Sequence, residues 1–176
     1  MNRSEIMKIL VFSDSHGDLE SMVSAMKKHR KAEVVIFCGD GVRDFSQLRI
    51  KFPDKMYYGV TGNCDWYSDY PSYDEIELCC KKIFLTHGHM FGVKNGLSRI
   101  IDLGRSNGFD IVLFGHTHQQ VTSAEGAMLI MNPGSIGCEG EYGIIEIDER
   151  TGMVTATEYP RSDIPPLKMN TISDIG

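Results

Sequence analysis

Residues 7–18 read MKILVFSDSHGD. An uninterrupted apolar run, Ile9 to Phe12, stops at a polar, glycine-containing cluster, and helix-compatible sequence begins at Asp18. A short run without polar alternation, rich in branched and aromatic residues, reads as a strand buried on both faces. The same pattern recurs four times. EVVIFC (33–38) meets Gly39-Asp40-Gly41, and MYYGVT (56–61) meets Gly62-Asn63-Cys64-Asp65. KKIFLT (81–86) meets His87-Gly88-His89, and DIVLF (110–114) meets Gly115-His116-Thr117-His118.

Helical spacing fills the intervals. Residues 18–30 set Leu19, Met22, Val23 and Met26 on one face, with Lys27, Lys28 and Arg30 at the end that favours cations. Residues 96–106 set Leu97, Ile100, Ile101 and Gly104 together, and Asn107-Gly108 supplies a stop. A weaker pattern covers 44–51, before Pro53. Beyond 118 the texture is that of hairpins: strands at 120–124, 127–131, 142–147 and 153–159, with turns at Glu125-Gly126 and Thr151-Gly152. The first half reads as α/β and the second as antiparallel. Two stacked β-sheets flanked by helices, within one domain spanning 1–176, reconcile them. The core is expected over 7–159, with a tail at 160–176 that lacks a core pattern and serves as an arm.

A chain of 176 residues buries enough surface to fold without disulfides. With 41% hydrophobic and 24% charged residues it falls outside the disordered and fibrous classes. Its longest apolar runs are too short to span a membrane. It opens without a charged and apolar leader, so a cytoplasmic location is expected, with the five cysteines reduced and mostly buried as small hydrophobes. A net charge of −6 argues against broad binding to nucleic acid or anionic membranes.

In open α/β sheets, functional groups gather beyond the carboxyl ends of the strands. That places Asp14, His16, Asp40, Asn63, His87, His116 and His118 in one region. Five of the six histidines fall in these clusters, and His29 stands apart. Each piece alone has a plain reading: Asp-x-His as a turn and helix cap, Gly-Asp and Gly-Asn as turns. The pairs His87/His89 and His116/His118 carry more, because a two-residue spacing on an extended segment aims both rings the same way. A G-x-S-x-G elbow is missed at Pro133, and no Walker A, G-x-G-x-x-G or H-E-x-x-H pattern occurs.

The five clusters, DSH (14–16), GD (39–40), GN (62–63), HGH (87–89) and GHTH (115–118), resemble the calcineurin-like metallophosphoesterases, in particular their small bacterial and archaeal phosphodiesterase branch. Asn132-Pro133-Gly134-Ser135 resembles that branch too. The resemblance covers residues 7–159. It implies a four-layer αββα sandwich and a metal-dependent phosphodiesterase acting on a small phosphate ester. It also implies two divalent metal ions, Mn first, with Ni, Fe or Zn as alternatives. The first metal would take Asp14, His16 and His118, the second Asn63, His87 and His116, and Asp40 would bridge both. Asn63 and His89 are the candidate catalytic groups; His89 either lines the substrate pocket, or supports a ligand through a hydrogen bond, or simply ends a loop. Small members of the family often self-associate, so a homo-oligomer is expected. Two dications would offset four of the six excess negative charges, and at a single spot.

The sequence departs from the family at one position. Many members read Gly-Asn-His-Asp or Gly-Asn-His-Glu, the histidine protonating the leaving oxygen; here Cys64 stands in its place, so either diesters with good leaving groups are favoured or another group such as His89 donates the proton. Arg43, Asp44 and Arg99 are read as surface charge. The alternatives are a phosphomonoesterase, or an inactive scaffold of the same fold, as in the small subunit of the retromer coat.

Overall fold

The computed structural model describes residues 6–160 and 167–169. One mixed sheet contains β1 (Ile6–Phe12), β2 (Val34–Phe37), β3 (Met56–Gly59), β9 (Tyr142–Asp148), β10 (Val154–Tyr159) and β11 (Leu167–Met169), in the order β11-β10-β9-β1-β2-β3. The other contains β4 (Tyr73–Leu78), β5 (Lys81–Thr86), β6 (Ile111–Leu113), β7 (Gln120–Glu125) and β8 (Met128–Pro133), in the order β4-β5-β6-β8-β7. Strands β1, β2 and β3 run parallel, as do β5, β6 and β8. Their carboxyl ends therefore deliver the polar clusters to common edges.

The absence of alternation within each run has its explanation here, because both faces are covered. Ile9, Val11, Val34 and Ile36 meet Ile83, Leu85, Ile111 and Leu113 between the sheets. Leu10, Phe12, Val35 and Phe37 point the other way, onto α1 (Leu19–Lys28) and α2 (Val42–Lys51). On the far side Phe84, Val112 and Ile130 pack on Ile100 of α3 (Ser98–Asn107). The result is the expected α/β sandwich of two sheets with helices outside. Full burial of each such side chain contributes roughly 1.5–3 kcal/mol. Asp18 caps α1 by accepting from the Ser21 N–H at 3.0 Å, and Gly108, at φ 68°, ends α3. Among the described residues, no helix is long and apolar enough to cross a membrane.

Several expectations need correction. Strand β3 lies at a sheet edge and exposes Met56, so it is not buried on both faces. Strand β8 is half of a hairpin with β7 but also runs parallel to β6, so the second half of the chain is not purely antiparallel. The tail is not wholly without a core role. Leu167–Met169 pairs with Val154–Ala156, and Leu167 and Met169 pack on the inter-sheet core. The rest of the proposed arm lies outside the described residues. Of the five cysteines only Cys38 is buried; Cys64, Cys80 and Cys138 are exposed. Strand β4, unanticipated, alternates exposed Tyr73, Glu75 and Glu77 with the sheltered Asp74, Ile76 and Leu78, and its charges protect a free edge.

Candidate metal centre

The polar clusters converge because the backbone is forced into tight, unusual turns. Asp14, His16, Asp40, His116 and His118 all have positive φ, between 45° and 70°. These five are the majority of the eight non-glycine residues with positive φ among the described residues. For a residue with a Cβ this conformation costs about 1–2 kcal/mol, and such strain persists where the surroundings over-determine it. Here the loops hold one another. The Asp14 N–H donates to the Gly39 carbonyl (2.9 Å), the His16 N–H to the Asp40 carbonyl (3.2 Å) and the Gly115 N–H to the His87 carbonyl (3.1 Å). Gly62 lies so close to the Asp40 carboxylate that an added Cβ would collide with it.

Side chains beyond the expected set anchor these turns. Asp65 accepts four backbone N–H groups at 2.8–3.0 Å: Asp40 and Gly62 on one oxygen, Gly41 and Val42 on the other. It thus caps α2, whose own N-cap residue, Gly41, has no side chain for the task. Asp44 is buried rather than a surface charge, and accepts from the Ser15 hydroxyl (2.6 Å) and the Gly17 N–H (2.8 Å). Ser135 donates to the Asp14 carbonyl, and the Asn132 amide to the Gly115 carbonyl and the Thr117 hydroxyl. The sequence offered a signal for Asp65, an acid three residues after the Gly62 turn. For Asp44 it offered only a helix start.

All seven expected ligands meet at one place. In one lobe the fully buried Asp14 Oδ1 lies 3.1 Å from His118 Nε2 and 3.7 Å from His16 Nε2, and the two imidazole nitrogens are 3.3 Å apart. In the other, His87 Nε2 lies 3.1 Å from Asn63 Oδ1 and 3.4 Å from Asp40 Oδ2. Asp40 Oδ2 is also 4.0 Å from His16 Nε2, so this carboxylate stands between the lobes. The His116 ring lies 5.0 Å from that of His87. The rationale for the histidine pairs is corrected: 116–118 is not extended. Both residues are left-handed, which sends His118 to the Asp14 lobe and His116 to the His87 lobe.

The donor set fits divalent cations on two observations. Asp14 Oδ1 is buried and accepts no hydrogen bond. His87 Nδ1 sits 2.7 Å from the Cys38 carbonyl, which can only accept, so that nitrogen carries the ring proton. The lone pair on Nε2 then faces the oxygens of Asn63 and Asp40. With Nε2 unprotonated, that nitrogen and the two oxygens would converge as three acceptors, an arrangement a cation resolves. Carboxylate, imidazole and amide donors suit first-row divalent metals.

Without a cation the same crowding moves the ionisable groups. Burial pushes the Asp40 carboxyl up, but the hydrogen bond and charge of His87, with the Cys64 N–H at 2.8 Å, hold it well below the carboxylate range. Burial pushes His87 down, and Asp40 and Asp14 more than reverse it. His116 is lowered to about 4 by burial and by the charge of His87, so it is neutral at pH 7 and free to ligate. Burial, and then His87, also lower His89, whose Nδ1 is buried without a hydrogen-bond partner. Cys64 Sγ joins His16 and Asp40 in one cluster of potential donors, and burial together with Asp40 raises its thiol pKa. A cleft of about 330 Å³ opens from His16, Asp40 and Cys64 toward Arg43 and Gln47. His29 is elsewhere, 3.0 Å from the Tyr142 hydroxyl.

Similarity to known proteins agrees with this geometry. Residues 7–150 match the family model described as the calcineurin-like phosphoesterase superfamily domain. The chain is 36% identical over 134 residues to the probable metallophosphoesterase YsnB of Bacillus subtilis, covering 74% of this chain and 75% of that protein. It is 26% identical over 171 residues to the phosphodiesterase YfcE of Escherichia coli K12, covering 81% and 89%. The solved structure of Vacuolar Protein Sorting 29 from Cryptosporidium parvum superposes with a TM-score of 0.78, over 94% of this chain and 99% of that one. At 18% identity that likeness concerns the fold alone. With five polar turns gathered at one place on the sandwich and a family match across most of its length, the chain belongs to the calcineurin-like phosphoesterase superfamily.

Proposed function

We propose that this protein is a metal-dependent phosphodiesterase that hydrolyses small phosphate esters at a two-metal centre. The observation that carries the reading is the Asp40 carboxylate standing between His16 and His87, with potential donor atoms gathered on either side. Asp14, His16 and His118 would hold one ion, and Asn63, His87 and His116 the other, with Asp40 within reach of both. Two dications about 3.5–4 Å apart need anionic charge between them. Mn is the first choice. Such ions act as Lewis acids on phosphate oxygens and lower the pKa of a bound water.

The chain's own residues supply orientation and proton control. The exposed Arg43 lines the cleft and positions the ester's oxygens, and Asn63, beside His87, orients them at the metal centre. His89 is neutral at pH 7, so it orients substrate by hydrogen bonding and is a poor proton source. The neighbouring thiol is also held neutral, and a thiol is a weak donor compared with imidazolium. As water oxygen bonds to phosphorus and the bond to the leaving oxygen breaks, that oxygen departs with little help. The site therefore favours esters whose leaving groups are stable as anions. A scaffold would gain nothing from three strained turns that carry five of the candidate ligands, which weighs against that alternative. The loop lengths and acidic surface suit a small ester in a cytoplasmic setting, without a nucleic-acid groove, and leave room for self-association.

The test is hydrolysis by protein stripped with a chelator and then given Mn. Restored turnover of bis(p-nitrophenyl) phosphate is expected, faster than that of p-nitrophenyl phosphate and of dialkyl diesters. The stripped protein, at −6, should bind phosphate esters poorly. Turnover indifferent to chelation would sink the metal mechanism. Stoichiometric metal binding without turnover of any ester would point to the scaffold instead.

A further inference from the structure

Among the described residues the two most exposed large apolar side chains are adjacent in the chain, while the exposed Ile6, Ile50 and Met56 lie on other elements. Trp66 is 81% exposed, and Tyr67 is fully exposed. They follow directly on Asn63-Cys64-Asp65, so Trp66 lies within about 11 Å of Asn63 along the chain. Asp65, bound to the Asp40 and Gly62 N–H groups, fixes the start of this segment against the metal ligands. Met90, 54% exposed, adjoins His89, and the half-exposed Tyr73 pairs in register with Thr86, beside His87. Each of these four residues lies within a few positions of a candidate ligand, in sequence or in strand register.

The segment carrying the two aromatic residues has further features that set it apart. Tyr67 has φ 58°, a left-handed backbone that favours glycine, and it shares this with the ligands themselves. Among the described residues, neither Trp66 nor Tyr67 packs against another ring. Residues 61–72 contain Asp65 and Asp69 but no lysine or arginine. Nothing in this segment would hold a second phosphate, so a polyphosphate or a nucleic-acid backbone is a poor match. A neutral planar group is a good one. Exposed indole and phenol faces without partners cost hydration and are useful where an aromatic ligand stacks on them.

We infer that Trp66 and Tyr67 form a stacking platform for a planar aromatic substituent of the phosphodiester, an aryl group or a nucleobase, held while its phosphate sits at the metal centre. This deepens the phosphodiesterase reading and rests on it. Trp66 and Tyr67 determine specificity and take no part in bond making. Stacking of a base on an exposed aromatic residue is worth a selectivity of roughly ten-fold or more.

The probe is built into the chain, since Trp66 is its only tryptophan. Phosphonates are not hydrolysed, so binding is read without turnover. In Mn-loaded protein, phenylphosphonate should change Trp66 emission and bind roughly ten-fold more tightly than methylphosphonate. Comparing AMP with ribose 5-phosphate asks the same of a nucleobase, and the larger of the two ratios identifies the source. By calorimetry, Trp66→Ala and Tyr67→Ala should lower the phenyl preference and leave methylphosphonate affinity unchanged. Both residues are outside the core, so the variants should fold. Equal affinity for all partners in the unaltered protein would overturn the platform while leaving the phosphodiesterase intact. So would a preference that survives both substitutions, or substitutions whose only effect is to dissociate a dimer. If no phosphonate or phosphate bound the Mn-loaded protein, the phosphodiesterase reading would fall, and the platform with it.

Discussion

In an Asp40→Asn variant, bound metal should fall below two ions per chain and turnover of an aryl phosphodiester should drop at least about 10³-fold, roughly 4 kcal/mol of barrier. The substitution preserves shape and removes one charge at the point where the two lobes meet. Asp40 Oδ2 lies 3.4 Å from His87 Nε2 and 4.0 Å from His16 Nε2, so its loss affects both sides at once. Its other oxygen accepts the Cys64 N–H at 2.8 Å, a contact the asparagine carbonyl can retain. The fold should therefore survive, and circular dichroism should be unchanged. His87→Ala should lose metal and activity together for a related reason. Near-normal turnover in either variant would remove the two-metal account.

A second large effect is expected on stability rather than chemistry. Asp65→Ala should lower the melting temperature of the metal-free protein by about 6–12 °C, corresponding to about 3 kcal/mol at this chain length. The carboxylate serves four N–H donors that have no substitute partner, and α2 begins with a glycine that cannot cap it. Measuring metal-free protein separates this structural role from ligand loss. A melting point within a degree or two of the parent would mean that water replaces the carboxylate and that the turn is held by other bonds.

The contrast between these two aspartates shows what was legible in the sequence. Asp40 was visible because it ends a buried strand run at a glycine, and the same pattern occurs five times. Asp65 follows a family motif directly, but its value lies in four bonds to residues up to 25 positions away, which no local pattern encodes. The central strands were readable because burial on both faces removes polar residues from them, and α1 because Asp18 and its apolar face agree. Strand β4 escaped notice because its exposed face carries Glu75 and Glu77, leaving Ile76 and Leu78 as the only strong apolar signals. Strand β11 escaped because three residues at a sheet edge, half-covered, have no periodicity to read. The reason for weighting the histidine pairs fails at 116–118. A spacing of two implies a common direction only on extended backbone, and left-handed turns at His116 and His118 divide the pair between lobes.

The Cys64 position shows how the centre and the aromatic rim combine. In the proposed mechanism, the raised Cys64 thiol and the lowered His89 would leave the leaving group largely unassisted, which would select esters of acidic alcohols and phenols. Trp66 and Tyr67 face the same choice from the binding side, since aryl esters supply both a stable leaving anion and a flat surface.

The most direct measurement is anomalous diffraction from crystals of the Mn-loaded protein, with data collected at the Mn absorption edge. Two peaks about 3.5–4 Å apart are expected, one among Asp14, His16 and His118, the other among Asn63, His87 and His116, with Asp40 touching both. A single peak, or metal bound away from Asp40, would contradict the account.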